Sequence, residues 1–370
     1  MLEEEKEVEK ENLYDHVEIK SPYDPRNIHI ETRTLTISNL VDRLRNNEIV
    51  LDPDYQRNPN LWSDKEQSRL IESLLIKIPL PAFYFDQASD EKFEVVDGVQ
   101  RLTAIRRFIV EKEDSKEKLR LCDLEYLEDY NGKTFEELPK NFQRRINEAN
   151  IYAYVIRNGT DKQIKLNIFK RINTGGLALT SAEIRNAIYR GKATKFIKEL
   201  AESKQFTTVT RGRVKPFRML DREFVNRFFA FYLLDINNYG GVFETFLCEA
   251  LDVLNKKDDE ELAAYEKVFL DTMEFCYQIF GNKAFRKYSD KGTFGVINKP
   301  LFDCTSVSFA RLNEYDKKML LANKDKFIAG YINLLQDEHF KDIISNGTAT
   351  KQNITARYDY IKNLIEDTLQ

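Results

Sequence analysis

Residues 93–109, FEVVDGVQRLTAIRRFI, pass from a strand pattern through a turn into a helix pattern. The apolar run Phe93–Val96 is typical of a short strand, and it leads directly into Asp97-Gly98. From about Gln100 the apolar residues recur every three or four positions, which predicts a helix with one buried face. A glycine at such a junction lets the chain turn sharply and leaves no side chain over a bound ligand. This stretch therefore predicts both a fold element and a binding site.

Four residues of the stretch are candidate site residues. A helix start presents free backbone N–H groups and the positive end of the helix dipole, which suit phosphate oxygens. Arg101, on the first turn, would add charge-assisted hydrogen bonds to a phosphate. Asp97 would orient that arginine or hold Mg²⁺, and Gln100 would position a water next to the Gly98 turn. The alternative, which spacing alone favours, is a common Asp-Gly turn with Arg101 as a surface charge.

A second candidate group lies upstream, in the loop LDPDYQRNPNLW at residues 51–62. Its two prolines forbid regular structure, and Ser63–Glu66 then forms a capping box that starts a helix. An arginine just before a helix start suits an anion, so Gln56 and Arg57 are candidate nucleotide-binding residues. Trp62 could close one wall of a pocket, but we interpret it as an anchor that holds the loop.

A third candidate group lies at the end of a helix that Thr160 is predicted to cap and that Gly175-Gly176 is predicted to stop. Lys170, Arg171 and Asn173 place polar groups near its C-terminal end, and we assign them to nucleotide binding. The alternative is that the two cations complement the helix dipole and that the asparagine caps the helix.

Short strands and helices alternate through the rest of this half of the chain. Further strand patterns occur at Thr34–Ile37, Ala82–Phe85 and Ile151–Ile156. Ser38 is predicted to cap a short helix that carries Leu40, Val41 and Leu44, and Ile78 to belong to the apolar face of the helix that follows Ser63. A second capping box, from Thr180 to Glu183, opens another helix.

Beyond about residue 200 the strand signals fade and helix patterns dominate. The predicted helices are Asp221–Leu234, Val242–Leu254, Glu260–Phe280, Tyr315–Leu335 and Thr355–Leu369. We therefore predict an α+β protein with a loosely held charged extension (1–33), an N-terminal domain (34–200) and an all-α C-terminal domain (201–370). The aromatic residues of the first helix in the C-terminal domain are predicted to be mostly buried: Phe224, Phe228, Phe229, Phe231 and Tyr232.

The composition excludes several classes of protein. Lys and Arg total 57 against 61 Asp and Glu, giving a formal net charge of −4, so strong nonspecific DNA binding is not predicted, although a local basic surface is compatible. The four cysteines are far apart and lack CxxC spacing, which indicates buried thiols in a reducing compartment. No run approaches about 18 apolar residues and the acidic N-terminus lacks a signal-peptide pattern, so we expect a cytoplasmic protein with no membrane partner.

Three ordered motifs together resemble a known family. They are a QR followed by Trp62, a strand ending in DGxQR, and a helix ending in F-x-R-I-N-T-x-G with L-x-x-x-E-x-R-N-A downstream. This combination resembles the N-terminal domain of GmrSD-type restriction systems, in the ParB/sulfiredoxin superfamily, over about residues 34–190. R-x-L-D-R-E-F at Arg218–Phe224 resembles that family's C-terminal region more loosely.

The resemblance implies a ParB/sulfiredoxin-like fold with a pocket for a nucleoside triphosphate and Mg²⁺. In several family members the nucleotide is hydrolysed to control restriction of modified DNA, as a phage defence. Carried over by position, the implied site residues are Gln56, Arg57, Asp97, Gly98, Gln100, Arg101 and Asn173. The base of the nucleotide is left open.

One position departs from the family pattern: Val99 stands where the family's DGQQR motif has its first glutamine. Valine cannot hydrogen-bond a ligand or a water, so we expect nucleotide binding with slow turnover, and faster turnover if glutamine is restored. The competing hypotheses are a non-catalytic module that keeps the fold and binds DNA or a partner protein and, by analogy of fold alone, a weak ParB-like nuclease.

Restriction members usually cut DNA with a separate HNH-type domain, whose metal site needs clustered His and Asn or Asp. The three histidines here, His16, His29 and His339, are scattered, so autonomous DNA cutting is not expected. The expected partners are a nucleoside triphosphate and, as candidates, DNA and a separately encoded nuclease. The sequence leaves the oligomeric state open.

Overall fold

The computed structural model of the chain describes residues 7–9, 11, 29–51, 62–87, 92–172, 180–288 and 292–370. They form two compact units, Pro22–Ile184 and Arg185–Gln370, and the second also takes in the described residues of Met1–Ser21. We call them the N-terminal unit and the helical unit. The domain bounds at residues 33 and 200 stay predictions. Among the described helices, none has both the length and the apolar composition needed to cross a membrane.

The N-terminal unit alternates strands with helices. Its strands are β1 (Ile30–Thr36), β2 (Ile49–Val50), β3 (Phe83–Gln87), β4 (Phe93–Asp97) and β5 (Asn150–Ile156). Its helices are α1 (Ile37–Arg45), α2 (Asp64–Leu75), α3 (Val99–Ile105), α4 (Lys140–Asn147), α5 (Lys162–Ile172) and α6 (Ser181–Ile188), the last of which extends past the division. α3 continues as a π-helical segment, Arg106–Val110, and a 3-10 turn spans Glu128–Tyr130.

The five strands form one mixed sheet in the order β1-β5-β3-β4-β2. β1 pairs with β5 and β3 with β4 in antiparallel fashion, whereas β3 with β5 and β2 with β4 are parallel. Alternate strand residues such as Phe83 and Val95 turn into a core shared with Leu40, Ile71 and Leu102 of α1, α2 and α3. The predicted α+β class is confirmed, and the ParB/sulfiredoxin-like fold stays a prediction.

The sequence patterns predicted most of these helices and strands, but they placed several helix ends at the wrong residue. The capping box of Ser63 and Glu66 is confirmed, with both reciprocal hydrogen bonds formed. Ser38 does not cap the helix: α1 starts at Ile37, and its cap is Thr36, whose hydroxyl accepts the Asn39 N–H at 3.2 Å. The helix therefore starts two residues earlier than predicted, because β1 stays paired with β5 only to Thr36.

Two further predictions about helix ends are wrong. Ile78 lies beyond the end of α2 at Leu75 and is 51% exposed, so it belongs to no buried face. The Thr160 hydroxyl does not cap α5, because it is buried and makes no hydrogen bond within the described part of the chain. The second capping box is confirmed: the Thr180 N–H donates to Glu183 Oε2 at 2.6 Å, and the Glu183 N–H donates to the Thr180 hydroxyl at 3.2 Å.

The helical unit consists mainly of helices. They are α7 (Lys192–Ala201), α8 (Lys204–Val209), α9 (Leu220–Leu233), α10 (Phe243–Asn255), α11 (Asp259–Phe280), α12 (Lys299–Ala310), α13 (Glu314–Ala322), α14 (Lys324–Gln336), α15 (Glu338–Ile343) and α16 (Lys351–Leu369). Single 3-10 turns lie at Phe217–Met219, Ile236–Asn238 and Gly281–Lys283. The helix predicted over Tyr315–Leu335 is two helices, α13 and α14, that meet at Asn323.

The prediction of an all-α C-terminal domain is wrong in one place. β6 (Arg286–Tyr288) and β7 (Phe294–Ile297) form a two-stranded antiparallel sheet. Strands of three and four residues are too short to show a period-2 pattern, so tertiary pairing rather than local sequence signal defines them. The rest of the described unit is helical, as predicted.

The aromatic residues of α9 pack inside the helical unit as predicted. Phe224, Phe228 and Phe229 are fully buried, Phe231 is nearly so, and Tyr232 is half-buried. Ring contacts extend this cluster to α11, where the Phe269 ring lies 5.0 Å from that of Phe228. The aromatic residues therefore serve as core, which is the role that a helix buried on more than one face requires. Three of the four cysteines, Cys248, Cys276 and Cys304, are also buried.

Within the charged extension, the described residues 7–9 and 11 are held by the helical unit rather than loosely docked, while residues 30–33 belong to β1. The backbone of Glu7 and Glu9 pairs with Ile297 of β7 through N–H···O bonds of 3.0 and 2.9 Å. The Glu9 side chain accepts hydrogen bonds from Lys287 at 2.6 Å and from Asn298 at 2.9 Å. An acidic residue at every second position of an extended segment thus meets polar partners on one side.

Candidate functional site

The turn between β4 and α3 has the geometry that its glycine was expected to allow. Gly98 adopts a left-handed conformation with φ of 104°. A Cβ at this position would lie 2.5 Å from the Phe83 ring and 3.4 Å from the Arg101 guanidinium. A side chain is therefore excluded here by the chain's own packing as well as by φ.

Arg101 is buried beside this turn. It is 9% exposed, with its guanidinium 4.7 Å from the centre of the Phe83 ring. Nη2 donates to Asp97 Oδ2 at 2.5 Å, and Nη1 donates to the carbonyls of Pro81 and, at 3.1 Å, Ala82. The alternative of a surface charge is therefore wrong for Arg101. Asp97 orients the guanidinium, which is one of the two roles predicted for this carboxylate.

The electrostatics of Arg101 favour an additional anion. Burial lowers the pKa of Arg101, and the charge and hydrogen bond of Asp97 compensate only in part. A cation whose pKa is lowered is one whose charge its surroundings do not fully stabilise. A phosphate near the guanidinium would supply the missing negative charge.

Asp97 has the chemistry of a single magnesium ligand. Its side chain is 35% exposed, and Oδ1 has no hydrogen-bond partner among the residues that the structure describes. Mg²⁺ is commonly held by one or two carboxylates together with water and substrate phosphates, so a single carboxylate oxygen fits that ion. Across the described ranges, no group of three or more His, Cys, Asp or Glu side chains is placed to hold a metal by itself.

Gln100 is used in part to hold the chain that precedes α2. Its Oε1 accepts the backbone N–H of Trp62 at 3.2 Å, while the Trp62 carbonyl accepts from Gln67 at 2.8 Å. Trp62 is half-buried and its backbone is fixed from both sides. The role predicted for Gln100 in positioning a water would therefore fall to its NH₂ group.

Val99 is half-buried and packs against the core of the N-terminal unit. This contact gives the valine a packing role at the position where the family pattern has glutamine. Packing is therefore an alternative explanation for the valine, beside the expectation that it marks a missing catalytic group.

Two tyrosines beside the turn were missed by the sequence analysis. Tyr84 stands opposite Asp97 in the β3–β4 pairing, and its ring stacks on Tyr154 of β5 at 4.9 Å. Burial, followed by Tyr154 and Asp97, raises the pKa of Tyr84, and Arg101 opposes that rise. The available signal was strand alternation, since a tyrosine between Phe83 and Phe85 must face away from the core.

A buried ion pair on β3 was also missed. Lys165 of α5 donates to both carboxylate oxygens of Asp86 at 2.6 and 2.8 Å, and both side chains are nearly buried. The pair joins residues 79 positions apart, so no local motif could indicate it. It attaches α5, the helix of the third candidate group, to the sheet.

The structure thus brings together four of the predicted site residues, Asp97, Gly98, Gln100 and Arg101. Arg171 is exposed at the end of α5. Gln56, Arg57 and Asn173 lie outside the described residues, as does the side chain of Lys170. The predicted convergence of Arg57 and Arg101 on one anion stays a prediction.

Two motif residues beyond the turn have structural partners within the helical unit. Arg185, from the L-x-x-x-E-x-R-N-A motif, donates to Glu223 and Glu244, and Glu223 belongs to R-x-L-D-R-E-F. Burial would raise the pKa of Glu223, but the charges of Arg185, Lys299 and Arg227 lower it to about 2. The two motifs therefore meet in a buried ion pair that stabilises the fold.

Comparison with known proteins agrees with this distribution of motifs. Residues 37–190 match the family model described as GmrSD restriction endonuclease, N-terminal domain. The match contains the β4–α3 turn and every predicted site residue, and it ends near the start of the helical unit. No curated protein and no solved structure matches the chain.

Proposed function

We propose that the chain, whose residues 37–190 match the family model of the GmrSD N-terminal domain, is a regulatory component of a phage-restriction system that binds a nucleoside triphosphate with Mg²⁺ and hydrolyses it slowly. The supporting observation is the buried, incompletely neutralised guanidinium of Arg101, held by Asp97 against the Gly98 turn.

The nucleotide phosphates would lie at the start of α3. Leu102 is the first residue whose N–H bonds back along the helix, to the Gly98 carbonyl at 2.8 Å, so the N–H groups before it have no such partner. These groups and Arg101 would bind phosphate oxygens, and the absence of a side chain at Gly98 would let the ligand approach the backbone.

Asp97 would serve two groups through different oxygens. Oδ2 holds Arg101, and Oδ1 would hold Mg²⁺, which would neutralise phosphate oxygens. Hydrolysis would be slow because Val99 is packed against the core and Gln100 already accepts from Trp62. Valine has no group that can hydrogen-bond a water, and the Gln100 carbonyl oxygen already uses one of its two lone pairs for the Trp62 N–H.

Thermal unfolding with each common nucleoside triphosphate and Mg²⁺ tests binding, since a ligand that binds only the folded state raises the apparent melting temperature. Arg101→Lys keeps the charge but loses the fork that matches a phosphate. Arg106→Lys is the matched control, because Arg106 lies on the same helical segment and pairs only with Glu111 and Glu117 among the described residues.

We expect the nucleotide-induced rise in melting temperature to be lost in Arg101→Lys and retained in Arg106→Lys, each measured against its own nucleotide-free sample. Asp97→Asn should reduce the part of the rise that depends on Mg²⁺. An equal rise in all three variants would exclude the β4–α3 turn as the nucleotide site.

The second candidate function is a non-catalytic DNA-binding or partner-docking module, and the packing of Val99 favours it. Phosphate-release assays with Mg²⁺ and each triphosphate separate the two functions. A nucleotide-dependent rise in melting temperature without phosphate release would support binding without turnover.

A further inference from the structure

The helical unit contains a local excess of positive charge that the whole-chain net charge of −4 does not reveal. The loop after α8 reads Arg211-Gly212-Arg213-Val214-Lys215, with a cation at every second position. All three cationic side chains are exposed. Arg211 has a left-handed φ of 56°, and the Gly212 N–H bonds back to the Thr207 carbonyl at 2.7 Å, so the chain reverses direction here.

A pocket of about 420 Å³ lies between this loop and the β6–β7 sheet. Three cations line it: Arg211 from the loop, Lys283 from the turn after α11, and Arg286 from β6. None of the described lining residues is a carboxylate; the other polar side chains are those of Asn282, Tyr288 and Thr293. Cations and neutral hydrogen-bonding groups without an acid form a lining that suits an anion.

The cations at and around this pocket repel one another. Burial, followed by the charges of Arg211 and Arg213, lowers the pKa of Arg286. Arg286 also donates to the Gly295 carbonyl at 2.8 Å, which fixes its position on the hairpin. Glu7 pairs with Arg213, and Glu9 pairs with Lys287 next to Arg286 on β6. Like charges held together in this way are stabilised when an anion binds between them.

Aromatic residues of the β6–β7 sheet position the side chain of Lys283. Lys283 Nζ lies 5.3 Å from the centre of the Phe294 ring, and that ring makes an edge-to-face contact with Tyr288 at 5.0 Å. The Lys283 ammonium is thereby placed at the pocket without a carboxylate partner among the described residues.

We propose that the pocket formed by Arg211, Lys283 and Arg286 binds a phosphate group, and that its ligand is the phosphodiester backbone of a nucleic acid. The row of exposed cations from Arg211 to Lys215 extends beyond the pocket, which suits a ligand with repeated phosphates better than a single anion. This site lies in the helical unit, and it goes beyond the nucleotide site proposed at the β4–α3 turn.

The test measures fluorescence anisotropy of short labelled single-stranded and duplex DNA with the full chain, over a series of salt concentrations. The variant Arg211→Gln/Lys283→Gln removes two exposed cations from the pocket. The control Lys195→Gln/Lys362→Gln removes the same charge from exposed positions on α7 and α16. Inorganic pyrophosphate and a nucleoside triphosphate serve as unlabelled competitors.

We expect the pocket variant to bind DNA at least about tenfold more weakly than the control. For single-stranded DNA, the slope of log K against log salt concentration should become shallower by about 1.4, because two phosphate contacts are lost. Competition by the small phosphates at concentrations comparable to that of DNA phosphate would assign the site to free phosphates and overturn the nucleic-acid ligand. Equal binding by the two variants, or no binding by the wild type, would overturn the site itself. DNA binding is measured here without nucleotide, and nucleotide binding is measured by thermal unfolding without DNA, so failure of this site is distinguishable from failure of the nucleotide site.

Discussion

Glu11 and Arg227, 216 positions apart in the sequence, form a two-point ion pair inside the helical unit. The Arg227 Nη1 and Nη2 atoms donate to the Glu11 carboxylate at 2.7 and 3.0 Å, and the Thr348 hydroxyl donates to the same carboxylate at 2.7 Å. Arg227 also donates through Nε to Asp303 at 3.0 Å. The N-terminal segment is therefore part of the core charge network of this unit.

Glu11→Gln should destabilise the helical unit by about 3 kcal/mol, because it leaves two buried cations, Arg227 and Arg357, to share the single buried carboxylate of Asp303. Urea unfolding followed by a probe in the helical unit measures the change. Glu9→Gln is the control: its pair with Lys287 is more exposed, so the expected loss is below about 1 kcal/mol. Equal losses in the two variants would show that Glu11 contributes no more than a surface contact.

Stability should fall in acid through Glu223. Its pKa is lowered to about 2 in the folded state from an ordinary value of 4.5, so its contribution is complete above about pH 4.5 and is lost as the pH falls toward 2. The loss should amount to about 3 kcal/mol. Urea midpoints measured from pH 7 to about pH 2 should fall less steeply for Glu223→Gln than for the wild type. Glu199→Gln, on the surface of α7, should retain the wild-type slope.

Gly98→Ala should destabilise the N-terminal unit by about 2 kcal/mol or more, since alanine meets both an unfavourable φ and the Phe83 ring. Gly132→Ala isolates the first effect: Gly132 has φ of 81° and open space around its Cβ position, so about 1 kcal/mol is expected. Thermal unfolding compares the two variants. Adding Phe83→Leu to Gly98→Ala should restore part of the stability that Gly98→Ala loses beyond Gly132→Ala. If no stability is restored, the contact with the Phe83 ring is not the cause.

Val99→Gln should lower stability by about 1 kcal/mol without raising phosphate release, because the side chain packs against the core. The hypothesis from sequence predicts the opposite outcome, faster turnover with glutamine, and it stays a prediction that the same phosphate-release assay tests. Val110→Gln makes the same substitution at another half-buried position on the same helical segment. Faster phosphate release in Val99→Gln alone would restore the catalytic interpretation of this position.

The features that could be predicted from sequence are those whose partners are close in the chain. Both capping boxes and the strand that ends at the Gly98 turn were predicted correctly, since three-residue and two-residue periodicities are visible locally. The same local information identified the Gly98 turn itself. It could not show that Arg101 is buried, because the carbonyls that hold it belong to Pro81 and Ala82 of another segment.

By itself, then, the sequence determined the α+β character of the chain, the β4–α3 junction and the match of residues 37–190 to the GmrSD N-terminal family model. Tertiary structure alone decided which charges meet: Lys165 with Asp86, Arg185 with Glu223, and Glu11 with Arg227. It also decided the β6–β7 sheet and the cationic pocket beside it. The physical reason is that ion pairing depends on distances in space, and these paired charges are tens to hundreds of positions apart. Strands of three and four residues are in turn too short to show a local period.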